Sequence, residues 1–299
     1  MAAPGSVWRR ARDGRALPIV TVLAVLFLVW YAASIWLNAP RAAEALDRGD
    51  AAWGTAELIA EAWSMDRPVL PAPHQIAANF WASTVEVSVT SRRSLVYHAT
   101  VTMSATLSGF VLGTVLGIVI AIGIVHIPTL DRSLMPWVIA SQTVPILAIA
   151  PMIVVVLGNL GLTGVLPKAI ISAYLSFFPV AIGMVKGLRS PDRLHLDLMR
   201  TYSADRRQIL AKLRWPAAVP FLFPSLKVGI ALSLVGAIVA ELPTGAQAGI
   251  GARLLTGSYY GQMVAMWAAL ITAAMLAMIC VFAVDGAQKL AAKGRGGRL

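Results

Sequence analysis

Polar side chains that stand inside otherwise apolar stretches are the first candidates for chemistry in this sequence. Gln142 and Thr143 lie in the run SQTVPILAIAP, and Tyr174 and Ser176 lie in the next apolar run. At membrane depth such groups, and the carbonyls that the two prolines free, need partners from protein or water. Two interpretations stay open. The four residues line a water-filled path for a polar solute, or they belong to kinked helices in which Gln142 bonds a neighbour.

Ionisable groups are nearly absent from the middle of the apolar stretches. Lys227 and Glu241 are expected near opposite ends of one span, and Asp285 ends the last span. A proton or sodium relay is therefore disfavoured, because such relays place ionisable groups inside the spans. The energy for any transport must then come from outside this chain.

Catalytic and metal-binding patterns do not stand out in the sequence. There is no GxxxxGK[ST] phosphate loop, and the glycine-rich GAQAGIGARL at 245–254 lacks the lysine that such a loop needs. The four histidines have no HExxH spacing, and the single Cys280 excludes an intrachain disulfide or a CxxC site. We expect no catalytic residue, no metal site and no bound cofactor.

The composition places these residues in a bilayer. The 299 residues are 58% hydrophobic and only 13% charged, and the mean hydropathy is +0.74, whereas about a quarter of residues are charged in ordinary soluble domains. The 25 Lys and Arg outnumber the 14 Asp and Glu, but they fall in short clusters between uncharged runs. That pattern is typical of membrane topology and not of nucleic-acid binding, so membrane lipid is the expected surrounding.

Several runs are long enough to cross a hydrocarbon core of about 30 Å. We predict an all-α integral membrane protein with about six transmembrane helices, at about 17–37, 99–125, 133–157, 165–186, 221–242 and 262–284. The predicted organisation is a tail at 1–16, the first helix at 17–37, an extramembrane segment at 38–94, a core at 95–290 that contains a polar segment at 190–215, and a tail at 291–299.

The basic clusters orient these spans, because short loops rich in Lys and Arg stay cytoplasmic. The clusters fall at 9–15, 186–214 and 289–298, on one side of a six-helix arrangement. Both termini are therefore expected in the cytoplasm, and residues 38–94 outside it. Arg92 and Arg93 would lie outside the cytoplasm in this arrangement and so depart from the rule, but long loops follow the rule poorly.

Glycines at four-residue spacing mark one face of the second predicted span. Gly109, Gly113 and Gly117 align in GFVLGTVLG, and such a face lets another backbone approach closely. The partner helix belongs either to the same chain or to a second copy.

The polar segment begins with features of a short helix. SPD at 190–192 predicts a helix start, with the hydroxyl of Ser190 as the cap. Leu194, Leu198 and Tyr202 then recur at four-residue steps, which gives the helix an apolar stripe.

A second short helix is expected to follow, with Ser203 as its cap, until Pro216 and Pro220 redirect the chain into the membrane. The segment then forms an amphipathic helix-turn-helix. It either docks into a soluble partner or lies on anionic lipid, and two short helices in tandem favour docking.

At these residues the chain resembles the inner-membrane permease subunits of bacterial ABC importers, in the nitrate, sulfonate and taurine branch. The family's cytoplasmic motif has Glu-Ala-Ala, three residues, Gly, and a proline thirteen residues later. The matching positions here are Asp197, Leu198, Met199, Ser203 and Pro216. Other similar pieces are VLPAPHQI, the stretch from His98 to Gly109, TVPILAIAPMIVVVLG, LKVG and AEL.

The resemblance implies a multi-pass protein of the bacterial inner membrane that works as a pair of permease copies. Its other partners would be two cytoplasmic ATPase subunits, which bind the ATP, and a periplasmic or lipid-anchored substrate-binding protein. It also implies a coupling segment that contacts the ATPase through Asp197, Leu198, Met199, Tyr202, Ser203, Ala204, Arg206 and Arg207.

The function so implied is ATP-driven import of a small polar or anionic solute by alternating access. A scaffold or regulatory protein with the same fold and an ion-coupled transporter are the alternatives. Serine stands where the family has glycine, and a left-handed backbone at Ser203 would cost on the order of 1 kcal/mol.

Overall fold

The computed structural model describes residues 16–49, 52–242 and 248–293, and these residues form helices and connecting turns. The α-helices are α1 Ala16–Asp47, α2 Thr55–Ser64, α3 Pro73–Trp81, α4 Leu95–His126, α5 Pro128–Ala140, α6 Ile146–Asn159, α7 Val165–Leu188, α8 Arg193–Thr201, α9 Arg206–Ile209, α10 Trp215–Glu241, α11 Ile250–Tyr259 and α12 Met263–Lys293. Most of the predicted tails, at 1–15 and 294–299, lie outside the described residues.

The long helices confirm the predicted fold class of an all-α membrane protein. Five helical stretches of the described chain are long and apolar enough to cross a membrane, namely Leu17–Asp47, Leu95–His126, Val165–Leu188, Arg206–Glu241 and Met263–Lys293. A sixth span is possible if the bent pair Pro128–Thr143 and Ile146–Asn159 counts as one.

The third predicted span is not a single helix. After α5, residues Ser141–Thr143 form a 3-10 turn, and the two halves meet at 101°. Proline disfavours a helical backbone in the residue before it, and Val144, which precedes Pro145, is extended at φ −77° and ψ 121°. The chain therefore leaves the helix at Val144 and starts again at Ile146.

The prediction that Pro216 and Pro220 redirect the chain was wrong. Residues Arg206–Glu241 form one helical stretch with a π turn at Leu210–Arg214, and both prolines lie within it. Pro216 stands two residues after the π turn, where the hydrogen-bond register already departs from the α-helical pattern. The second short helix of the polar segment is thus the start of the fifth span.

The described chain divides into two compact units. The first contains residues up to Val87 together with Thr256–Ala268. In this unit the side chain of Asn38 on α1 accepts from the N–H groups of Val69 and Leu70 and donates to the carbonyls of Ala62 and Leu70. The predicted extramembrane segment 38–94 therefore begins inside α1, and Asn38 fixes the chain between α2 and α3 to that helix.

Helix α2 begins with a local cap in the same unit. Glu57 Oε2 accepts a hydrogen bond from Gly54 N–H at 2.9 Å. Backbone hydrogen bonds from Glu57 and Gly54 hold the pKa of this carboxyl below its ordinary value. The cap therefore persists while the carboxyl is ionised and weakens as the pH falls through its folded pKa.

The second unit, Ser88–Leu255 with the residues from Ala269 onward, is built around α7. Its helices α4 and α10 pack on α7, and the glycine face of α4 lies against it. A Cβ on Gly109 would lie 2.7 Å from the carbonyl oxygen of Ala169, and one on Gly113 would lie 2.7 Å from that of Ala173. Gly117 meets the carbonyl oxygen of Phe177 at the same distance. In the structure the partner of this face is therefore a helix of the same chain.

Candidate functional site

The α8 helix carries an exposed apolar stripe. Leu194, Leu198 and Tyr202 are 79%, 53% and 77% exposed, and their four-residue spacing places them on one face. Met199 is half-buried. Asp197 forms an ion pair with Arg200 at 3.0 Å within the same helix. Large apolar side chains so exposed are typical of a surface that another molecule covers.

The turn after α8 is a Schellman motif, which differs from the predicted serine cap. Ser203 has a left-handed φ of 53°. Its N–H bonds the carbonyl of Arg200 at 2.8 Å, and the N–H of Ala204 bonds that of Met199 at 3.0 Å. These two bonds define the motif, in which glycine is the usual residue at the left-handed position. Ser203 therefore ends α8 and does not begin α9.

The helix caps of the segment are also different from those predicted. Asp205 caps α9, because its Oδ1 accepts from Gln208 N–H at 2.7 Å while Gln208 Oε1 accepts from Asp205 N–H at 3.1 Å. Ser190 donates its hydroxyl to the carbonyl of Gly187, so it belongs to the end of α7. Arg206 and Arg207 follow the cap and are exposed.

Three of the four predicted pathway residues lie at or beside the bend between α5 and α6. Gln142 and Thr143 are exposed in the 3-10 turn, and Thr143 donates its hydroxyl to the carbonyl of Ala140. Tyr174 on α7 donates its hydroxyl to the carbonyl of Ser141 at 2.6 Å. The bend therefore brings a small group of polar atoms together.

Ser176 is placed elsewhere. It is fully buried between α4 and α7, where its hydroxyl lies 3.2 Å from the carbonyl oxygen of Ala173 and 3.4 Å from that of Gly109. A Cβ on Gly113 would overlap this hydroxyl. This placement is that of a packing residue and does not support a pathway role for Ser176.

A buried ionic cluster, not recognised in the sequence, joins α4, α7, α10 and the start of α11. We use the name Glu241 cluster for four side chains, those of His98, Thr102, Lys168 and Glu241. Glu241 is fully buried and accepts from Thr102 Oγ1 at 2.9 Å and from Lys168 Nζ at 3.2 Å. Each of these donors comes from a different helix, so one carboxylate links three helix ends.

The same cluster satisfies the first N–H groups of α11. The N–H of Gly251 donates to Glu241, that of Ile250 to Thr102 Oγ1, and that of Gly249 to His98 Nδ1, each at 2.9 Å. His98 therefore carries its proton on Nε2, which donates to the carbonyl of Arg92. Free N–H groups at a helix start favour a carboxylate, and Glu241 supplies it.

Glycine is required where the chain passes this carboxylate. Gly249 has a φ of +127°, and a Cβ there would lie 2.1 Å from the carboxyl carbon of Glu241. In the sequence, the motif AEL contains Glu241, and the glycine-rich run at 245–254 contains Gly249. These two stretches therefore indicated part of the cluster. The sequence analysis predicted that Glu241 stands near the end of a span, but it did not identify Lys168 as its partner. Residues 243–247 of the glycine-rich stretch lie outside the described residues.

Two further observations concern ions. Lys227 on α10 forms an ion pair with Asp285 on α12, which also pairs with Lys289. Within the described ranges, no group of three or more His, Cys, Asp or Glu could hold a metal ion.

Comparison with known proteins identifies several relatives of this chain. The riboflavin transport system permease protein of Chloroflexus aurantiacus is 36% identical over 186 residues, which are 62% of this chain and 65% of that protein. The formylaminopyrimidine transport permease protein of Halalkalibacterium halodurans is 32% identical over 122 residues, 41% of this chain and 47% of that protein. The match therefore spans less than two thirds of either relative.

A putative aliphatic sulfonates transport permease protein of Bacillus subtilis is 28% identical over 145 residues, 48% of each chain. All three relatives are named as transport permeases and not as enzymes. The family model described as the binding-protein-dependent transport system inner membrane component matches residues 113–296. This range includes α7, the polar segment at 190–215 and Glu241, and it covers more than half of the sequence. The chain belongs to the family of binding-protein-dependent transport system inner membrane components.

Proposed function

We propose that this chain is the permease subunit of an ATP-driven importer, which passes a small polar or anionic solute into the bacterial cytoplasm by alternating access. The exposed apolar stripe of α8, in a member of this family, is the observation that carries the proposal. It supports a docking surface for a cytoplasmic ATPase, which binds and hydrolyses the ATP.

The physical argument for docking is the size and rigidity of the stripe. Burial of an apolar side chain in a partner groove contributes roughly 1.5 to 3 kcal/mol, and Leu194, Leu198 and Tyr202 offer three such side chains. The Schellman turn and the Asp205 cap hold α8 and α9 in a fixed relation. Arg206 and Arg207 follow the Asp205 cap and are exposed. Arg207 suits acidic groups at the edge of a partner.

The remaining parts of the proposal concern the assembly. Two copies of the permease would enclose one path, and a periplasmic or lipid-anchored binding protein would deliver the solute. The basic clusters support cytoplasmic termini. Riboflavin, formylaminopyrimidine and aliphatic sulfonates appear in the names of the relatives, and they support a sulfonate or a pyrimidine-like solute as the proposed substrate. The family resemblance adds nitrate, taurine and bicarbonate to the proposed class.

We place the path beside the bend between α5 and α6. Thr143 and Tyr174 donate to backbone carbonyls there. The exposed side chain of Gln142 would meet lipid if no path lay beside it, and unsatisfied polar groups in lipid are costly. The bend also gives the chain a point at which two short helices can change their angle without breaking a long span.

Leu198→Asp tests the docking surface. A carboxylate in an apolar groove is left unpaired and desolvated, so association with the ATPase should fall by orders of magnitude. The measurement is co-purification of the ATPase with the permease at matched membrane abundance. Leu290→Asp is the matched control, because Leu290 is 72% exposed near the end of α12 and outside α8, and it should retain the ATPase.

Full association and transport by Leu198→Asp would overturn the proposed docking surface. If that variant is lost from the membrane, Leu198→Ala replaces it and should weaken association about tenfold or more, on the same energy scale for one buried side chain. Equal loss with Leu290→Asp would also contradict a specific role for α8.

A further inference from the structure

A basic cleft lies between the inner end of α4 and the coupling segment. It encloses about 330 Å³, and its rim carries His126, Arg200, Arg206 and Arg214. Val125 and Ile209 are among the apolar side chains that complete the wall. None of the described residues that line this cleft is acidic. Three guanidinium groups around an apolar wall suit an anion that carries an apolar body.

The donors on the rim are largely unused by the protein. Arg206 has no ion-pair partner among the described residues, and Arg214 uses one bond, from Nη1 to the carbonyl of Leu188. A guanidinium has five N–H donors, so most of those on Arg214 stay available. His126 donates from Nδ1 to the carbonyl of Ile122, so the one N–H of the neutral ring is already used. Only Arg200 is engaged by a carboxylate, through its exposed pair with Asp197.

The position of the cleft relative to the candidate membrane spans indicates where its ligand comes from. His126 is the last residue of the apolar helix α4, and Arg206 is the first residue of the helical stretch that continues into α10. Both residues therefore stand at the edge of a candidate membrane span. Lipid phosphates lie at this level, and basic pockets there bind anionic head groups. A free phosphate ion would leave the apolar wall in contact with water.

We propose that this cleft binds the phosphate group of an anionic phospholipid from the cytoplasmic leaflet. Arg206 and Arg214 contact the phosphate oxygens, Arg200 completes the rim, and Val125 and Ile209 contact the glycerol and the first methylenes of the lipid. The bound lipid joins α4 to α8 and α9, so it braces the coupling segment against the membrane. This binding is independent of the transported solute.

The test compares neighbouring arginines in the purified full-length chain. Arg206→Gln removes a rim charge, and Arg207→Gln removes the same charge from the next residue, which does not line the cleft. Lipid discs of phosphatidylcholine with increasing phosphatidylglycerol provide the probe, and native mass spectrometry counts the retained phosphatidylglycerol. Because one basic residue at a lipid surface contributes about 1 kcal/mol, Arg206→Gln should retain it about fivefold more weakly. Arg207→Gln should match the wild type.

A second variant and a second ligand complete the test. Arg200→Gln should also weaken retention, and phosphatidylcholine alone should be retained weakly by every variant. Equal effects of Arg206→Gln and Arg207→Gln would overturn the proposal, because they would indicate diffuse attraction to a charged surface. Displacement of phosphatidylglycerol by millimolar inorganic phosphate would overturn the lipid assignment and indicate a site for a free phosphate ion.

Discussion

Ser203 occupies a backbone conformation that serine rarely adopts. A left-handed φ costs an L-residue roughly 1 to 2 kcal/mol, whereas glycine adopts it without a clash. The Schellman bonds to Arg200 and Met199 keep the turn closed despite that cost. The resemblance placed glycine at this position, and the φ of 53° confirms that the position is the left-handed one.

Ser203→Gly should therefore stabilise the turn by up to about 1 kcal/mol. Amide hydrogen exchange of residues 199–206 in the purified chain measures the effect, and exchange should slow by up to about fivefold. Ser190→Gly is the control, since Ser190 has no left-handed backbone and also loses its bond to Gly187. Faster exchange in the turn of Ser203→Gly would contradict this account.

Lys168 and Glu241 form a buried ion pair, so the effects of substituting the two residues on stability depend on each other. Removal of one partner leaves a buried charge and typically costs about 3 to 5 kcal/mol, while replacement of both can be nearly neutral. Lys168→Met should therefore destabilise the protein strongly, and Lys168→Met with Glu241→Gln should regain a large part of that loss. Thermal unfolding of the detergent-purified single and double variants gives the coupling energy. Strictly additive effects would show that the pair acts as two independent residues.

At the scale of elements, α7 is held by backbone approach on two sides. The glycine face of α4 lies on one side, and a Cβ on Gly236 of α10 would lie 2.8 Å from the Cα of Ser172 on the other. Such contacts involve backbone atoms that cannot move aside. The close packing of helices in the second unit therefore depends on glycines, which have no side chain, as much as on apolar side chains.

Gly113→Ala should separate α4 from α7. The new methyl group meets Ser176 Oγ and the carbonyl of Ala173, and overpacking of this kind costs about 1 to 3 kcal/mol or more. Gly286→Ala is the control, because a Cβ there has no neighbour within 4 Å, and alanine favours the α12 helix by about 1 kcal/mol. Opposite shifts in the unfolding temperature are expected, and equal shifts would contradict the packing account.

The apolar runs predicted the long helices well, because the length of a run decides whether it can cross a bilayer. The same reasoning failed at prolines. The helical backbone is broken before Pro145, which precedes the first residue of α6, whereas Pro216 and Pro220 lie within a continuous helical stretch. Neighbouring helices can satisfy the backbone groups that such prolines free. The Glu241 cluster was missed for a related reason, since Thr102 and Glu241 stand 139 positions apart and nothing local connects them.

At the scale of the whole molecule, orientation and path can be tested by one set of cysteines in a Cys280→Ala background. Ala60→Cys should react with an impermeant thiol reagent added outside intact cells, and Lys212→Cys should react only after the membrane is opened. Gln142→Cys and Thr143→Cys should react at rates that change with the transport state. The same side for the first two positions would refute the proposed orientation.

If Gln142→Cys and Thr143→Cys stay unreactive in every transport state, these two positions do not line the proposed path. That result would not affect the proposed orientation. Ser176→Cys serves as the internal control, because its side chain is fully buried against α4. It should stay unreactive in every state.

The continuous stretch Arg206–Glu241 connects the polar segment at 190–215 to the buried ion pair with 36 residues, about 54 Å of helix. Pro220 and Pro224 remove backbone hydrogen bonds from its first half, and the π turn at Leu210–Arg214 loosens the helical winding there. From Ser225 to Glu241 no proline intervenes. A displacement applied at Arg206 would therefore bend the first half of this helix, while its second half would turn as a stiff unit held at the Lys168 contact.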